Sequence, residues 1–117
     1  MATLPHPMDR WSSRDAIRGA AIVSEDGLLV YDALPAGSDR EAVAALLRPL
    51  VDNGRQLGDA AGAGRLETLV LDLEAGPAIV SPVDERHTLV VLARPDQDIG
   101  RLLFEIRTER AAVARAI

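Results

Sequence analysis

Three links between apolar, strand-like runs of this chain are too short for anything but a reversal of direction. Glu25-Asp26-Gly27 separates Gly19–Ser24 from Leu28–Leu34, and Asp-Gly between apolar runs signals a hairpin because glycine tolerates positive φ. Ala75-Gly76-Pro77 separates Arg65–Glu74 from Ala78–Pro82, and Asp84-Glu85-Arg86 separates that run from Thr88–Ala93. A parallel crossover needs a dozen or more residues, so these strands pair antiparallel. In Arg65–Glu74, Leu69, Leu71 and Leu73 alternate with polar or smaller residues, the pattern of a half-buried strand. Thr88–Ala93 is apolar without alternation, which predicts a central strand.

Between the first hairpin and the later strands, apolar residues change period. Val43, Leu46, Leu47, Leu50 and Leu57 recur at helical spacing, predicting a helix over Asp39–Asp59. Ser38 and Glu41 fit a capping box at its start. Pro49 lies inside and removes one backbone hydrogen bond, which predicts a kink near Ala45. A last helix follows Pro95-Asp96-Gln97-Asp98, with Asp96 as expected N-cap and a buried stripe of Ile99, Leu102, Leu103, Ile106 and Val113. The segment Met8–Arg18, with Met8, Trp11 and Ile17, has room for two helical turns behind a loose, proline-bearing arm at Met1–Pro7. The expected organisation is an arm or short helix over residues 1–18 and one domain over 19–117. The expected fold class is α+β, a five-stranded antiparallel sheet with helices on both faces. Leu46, Leu50, Leu69, Leu71, Leu73, Leu89, Val91, Leu102 and Ile106 are its expected core.

Composition then removes whole classes of function. The chain of 117 residues carries 13 basic and 18 acidic residues, a net charge of −5, and every basic residue is arginine. Without lysine there is no Walker-type phosphate lysine and no Schiff-base chemistry. Without cysteine there is no disulfide, thiolate nucleophile or cysteine-based metal site. A net acidic chain with three aromatics, Trp11, Tyr31 and Phe104, is poorly suited to nucleic acid. No run of apolar residues is long enough to span a membrane. Met1–Arg10 has no apolar stretch of a signal peptide, so a cytoplasmic protein is expected.

No catalytic constellation emerges. His6 and His87 lack the spacing of paired metal ligands, and His87 reads as a turn residue beside Asp84 and Glu85. Asp72 and Glu74 share one strand face, but alternating acids on a sheet usually form a solvated face. No serine stands in a Gly-x-Ser-x-Gly context, and Gly54, Gly58, Gly62 and Gly64 do not follow a strand as a phosphate loop would. No catalytic residue, cofactor or metal is expected.

Gly19-Ala-Ala-Ile-Val-Ser-Glu-Asp-Gly-Leu-Leu-Val-Tyr31 resembles the opening hairpin of the Roadblock family, which includes dynein light chains and bacterial regulators of gliding-motility GTPases. Leu66-Glu-Thr-Leu-Val-Leu-Asp-Leu-Glu74 resembles its long third strand, and Thr88–Gly100 its last strand and entry into the final helix. The likeness spans roughly Ala20 to Ala112. It implies a profilin-like or longin-like α/β sandwich that dimerises by pairing third strands and laying first long helices together. It also implies a helix pair that docks a Ras-like small GTPase or a scaffold partner, without binding nucleotide itself.

On the long helix, with Val43 at zero and about 100° per residue, two candidate surfaces separate. Ala42, Ala45, Pro49 and Asn53 form an uncharged stripe of small residues, read either as economical helix formers in an Ala-rich chain or as a dimer seam, joined by Leu66, Thr68, Val70 and Asp72 of the third strand. Glu41, Arg48, Asp52, Arg55 and Gln56 lie on the outer arc, read either as a solvated charge network or as a GTPase-docking face. Phe104 falls off the apolar stripe of the last helix, so it either covers the sheet edge, meets Trp11, or serves as an exposed anchor. The leading expectation is a non-enzymatic homodimer that binds and regulates a small Ras-like GTPase, in one reading as its activator. The alternatives are a scaffold subunit of the same fold without effect on hydrolysis, or a small-molecule sensor.

Overall fold

The computed structural model describes residue 6 and residues 8–117. Apart from His6, the expected loose arm Met1–Pro7 lies outside the described residues. The element order is α1 (Asp9–Ser12), β1 (Ile17–Ser24), β2 (Leu29–Ala33), α2 (Arg40–Ala60), β3 (Leu69–Leu73), β4 (Gly76–Pro82), β5 (His87–Ala93) and α3 (Ile99–Arg115). The strands form one antiparallel sheet in the order β2-β1-β5-β4-β3, so the unalternating β5 is central, as its pattern requires. The fold is the expected α+β sandwich, with α2 on one face and α1 with α3 on the other.

The three central strands are apolar on both sides because each side meets a helix layer. Ala20, Ile22, Ile79, Leu89 and Val91 pack with Met8, Trp11, Leu102, Ile106 and Val113 under α1 and α3. Ala21, Val23, Val80 and Val90 pack with Ala44, Leu47 and Val51 of α2. Leu47 is buried, so Leu47→Ala should cost about 2–5 kcal/mol in chemical denaturation. A loss below about 0.5 kcal/mol, the range of surface substitutions, would contradict the placement of α2.

The structure corrects several expectations. The α2 cap is Asp39, whose carboxylate accepts from the Ala42 N–H, because the Ser38 hydroxyl is engaged in donating to the Pro35 carbonyl at 2.7 Å. The α3 cap is Asp98, not Asp96, which instead sits at φ 68° in the preceding turn. Met8–Arg18 forms one helical turn, not two, yet anchors Met8 and Trp11 in the core. Arg65–Glu74 supplies a strand of only five residues. Ahead of it Leu66 turns onto α2, where the small Gly54 admits the Leu66 and Leu69 side chains to within van der Waals reach. Continued register would also set Glu67 opposite Pro82, which has no N–H to offer a ladder. Of the expected core, Leu46 and Leu73 are exposed at 60% and 52%, while Leu50, Leu69 and Leu71 are half-buried. Leu57, expected on the apolar face, is 69% exposed.

α2 runs unbroken through Pro49 and ends in a Schellman closure. Gly62 sits at φ 64°, its N–H donating to Asp59, while the Ala63 N–H donates to the Gly58 carbonyl at 2.8 Å. This closure turns the chain back toward β3.

Three carboxylates are held below their usual range. The Leu34 N–H and then Arg40 favour ionised Asp32, and Arg14 does so for Glu105. At Asp84 burial opposes ionisation, but the Arg86 N–H and His87 together outweigh it. A lowered folded-state pKa contributes stability above the unfolded value and loses it as pH falls through the folded one. The urea midpoint should therefore fall as pH drops below about 4, and Arg14→Gln should flatten that fall. An acid dependence identical in the variant would contradict the Glu105 assignment.

Candidate functional site

Beyond its buried side, α2 presents two flanks of opposite character. One carries Ala45, Leu46, Pro49, Asn53 and Leu57, all exposed, with Ala42 half-buried. It holds no charge and adjoins the start of β3: Leu57, Gly54 and Gly58 share with Leu66 and Leu69 an open, largely apolar groove of about 470 Å³. On α2, Leu46 and Leu57 are the residues that periodicity alone assigns wrongly to the buried side. The available signal is arc width, since at about 300° and 320° on the helical wheel both sit at the border of the buried arc.

β3 is an edge strand, its only ladder among the described residues being that with β4. Val70, Asp72 and Leu73 are exposed on it, and it carries neither lysine nor proline, the usual guards of an edge. Leu66 and Thr68 precede the strand and are half-buried. The Thr68 hydroxyl is shielded from solvent and has no hydrogen-bond partner among the described residues. The structure thus brings Ala42, Ala45, Pro49 and Asn53 to the same side of α2, with Val70 and Asp72 on the neighbouring edge.

The other flank is charged and turned toward the β4–β5 link, where Arg55 lines a cleft with Pro82, Val83, Asp84 and Glu85. Arg48 donates to Asp52 at 3.1 Å and Arg55 lies 3.9 Å from the same carboxylate. Glu41 is exposed on this side, whereas Gln56, expected with it, falls at about 220° on the wheel and is exposed between Ala45 and Pro49 of the uncharged flank. An ion pair so open to water contributes little stability. It leaves both arginines half-exposed and oriented along the helix.

Other candidates resolve as structural. His87 bonds Asp84 through Nδ1 at 2.9 Å within its turn. No group of three potential metal ligands occurs among the described residues, and no helix among them is long and apolar enough to cross a membrane. Phe104 is 70% exposed and does not meet Trp11, whose indole N–H instead donates to Glu109 while the Arg14 guanidinium lies 4.7 Å from its ring centre.

Comparison with known proteins agrees with this architecture. The chain is 30% identical over 98 residues to the uncharacterized protein MJ0310 of Methanocaldococcus jannaschii, covering 84% of this chain and 83% of that one. A Roadblock/LC7 domain from Streptomyces avermitilis superposes with a TM-score of 0.81 at 25% identity, covering 97% of each chain. The gliding protein MglB from Thermus thermophilus superposes with a TM-score of 0.75 at 19% identity, covering 99% of this chain and 94% of that one, a likeness of fold. The model of the Roadblock/LC7 domain matches residues 9–93, and the chain belongs to that family.

Proposed function

We propose that the protein is a non-enzymatic regulatory module that works as a homodimer and binds a small Ras-like GTPase. The observation that carries the dimer is the uncharged α2 flank, with Leu46 and Leu57 in water, beside an unguarded β3 edge. Self-pairing of β3 about a twofold axis satisfies the free edge, and the same axis brings two α2 flanks together. Small residues at Ala42, Ala45 and Asn53 permit a close helix approach, and Leu46 and Leu57 supply apolar area. Leu66, Thr68, Val70 and Asp72 complete the seam.

In such a dimer the charged flanks of the two α2 helices form one composite face. Glu41, Arg48, Asp52 and Arg55 from each chain mix both signs, with Gln56 beside them toward the seam, which suits a transient and salt-sensitive contact. A GTPase is the partner that the family likeness implies for this helix pair. One asymmetric GTPase seated across the twofold axis excludes its symmetry mate, giving one per dimer. The module supplies no catalytic group in this reading and acts on the GTPase by holding it.

The test is binding kinetics with a Ras-like GTPase from the same organism, loaded with a GTP analogue, at low and high salt. Arg48→Glu with Arg55→Glu should slow association about tenfold or more and leave the dimer intact. Unchanged kinetics in a confirmed dimer would move docking elsewhere. No binding by the unmodified protein would favour a scaffold role.

A further inference from the structure

α3 has an outer face that neither the core nor the proposed docking surface uses. Phe104, the chain's only phenylalanine, lies opposite the buried Leu102, Ile106 and Val113 and is 70% exposed. Arg101, Arg107 and Arg115 are exposed around it, with no acidic residue on that arc. Arg107 and Arg115 pair with no carboxylate among the described residues, and Arg101 shares Glu105 with Arg14. In a chain of net charge −5, this is a segregated basic and aromatic face.

The same molecule holds a feature of complementary chemistry. An open cleft of about 510 Å³ lies where β3 and β4 meet the entry to α3. Val70, Leu73, Pro77 and Ile99 give it apolar walls, and Asp72, Glu74 and Asp96 give it charge. None of these three carboxylates forms an ion pair with a basic side chain among the described residues, so the cleft carries uncompensated negative charge. The cleft's chemistry suits an apolar side chain flanked by guanidinium groups.

We propose that the α3 face docks on this cleft in a second copy of the chain. Phe104 enters between Leu73, Pro77 and Ile99, while Arg101 and Arg107 meet Glu74 and Asp96. Ile99 and Phe104 are about 7.5 Å apart along the α3 axis and about 140° apart around it, and in this arrangement a twofold axis beside Arg107 carries both reciprocal insertions. The contact centres on Leu73, Glu74, Pro77, Asp96 and Ile99, none of them in the proposed α2–β3 seam, and doubles whatever assembly that seam produces. An anionic membrane is a weaker occupant, because one aromatic and three arginines fall short of an interfacial helix or a polybasic anchor.

Sedimentation velocity of the full chain, from micromolar to hundreds of micromolar, tests this. At low salt the basal species should double reversibly, and high salt should suppress the doubling. Phe104→Ser, Arg107→Glu and Glu74→Arg should each weaken the doubling about tenfold or more and keep the basal mass and circular dichroism. Arg107→Glu combined with Glu74→Arg should restore it. A basal mass that never doubles, or doubling unaffected by Phe104→Ser, overturns the proposal. Binding to phosphatidylserine vesicles that Phe104→Ser abolishes, without doubling, overturns it in favour of lipid. The readout is relative to the basal mass, so it stands or falls separately from the α2–β3 dimer.

Discussion

Gly76→Ala should destabilise the fold by roughly 3 kcal/mol or more. Gly76 opens β4 with φ 126°, a conformation that side-chain-bearing residues rarely adopt. A β-carbon there would stand 2.1 Å from the Ala93 carbonyl oxygen and 3.0 Å from the backbone of Arg94 and Pro95. All three neighbours are main-chain atoms at the exit from the central strand, so none can rotate aside. Relief requires shifting either the β3–β4 hairpin or the β5–α3 link. Strain of this kind costs roughly 3 kcal/mol or more, a large part of the about 5–15 kcal/mol that holds a domain together. Urea denaturation monitored by circular dichroism provides the check. A loss under about 1 kcal/mol would mean that this close approach of backbones is absent in solution.

The second large effect concerns the proposed seam. Leu46→Glu together with Leu57→Glu should convert the homodimer to monomer, weakening association by roughly a hundredfold or more. Both side chains are mostly in water within the protomer, so the substitution leaves its core intact. Val70→Pro should have a similar effect through the edge, because it deletes a β3 N–H. Sedimentation of each variant, alongside its far-ultraviolet spectrum, separates loss of the dimer from loss of the fold. A double variant that keeps the mass of the unmodified protein would remove α2 from the interface.

Much of this architecture is legible in the chain because it rests on local chemistry. Short links dictate antiparallel pairing, and the unbroken apolar run Thr88–Ala93 marks the central strand. Helix capping is less legible, since Ser38, Asp39, Asp96 and Asp98 are all competent caps. The choice falls to which side chain is already committed elsewhere, as Ser38 is to Pro35. The length of β3 is not legible either. Leu66 reads as part of the same leucine-rich run as Leu69–Leu73, but its packing partner is Gly54 of α2, which only the tertiary structure supplies. Leu46 and Leu57 show the deeper limit. A helix that buries one side in its own core and another against a partner has one wide apolar arc, and periodicity cannot divide it. The charged flank is legible as a set, because Arg48, Asp52 and Arg55 pair locally along α2.

In the proposed assembly α2 and β3 form a twofold interface. The most direct test is the mass of the unmodified protein in solution at tens of micromolar, by light scattering in moderate salt. The expected mass is at least twice that of the chain, falling to the chain mass in the Leu46→Glu, Leu57→Glu variant. A single-chain mass for the unmodified protein would contradict it.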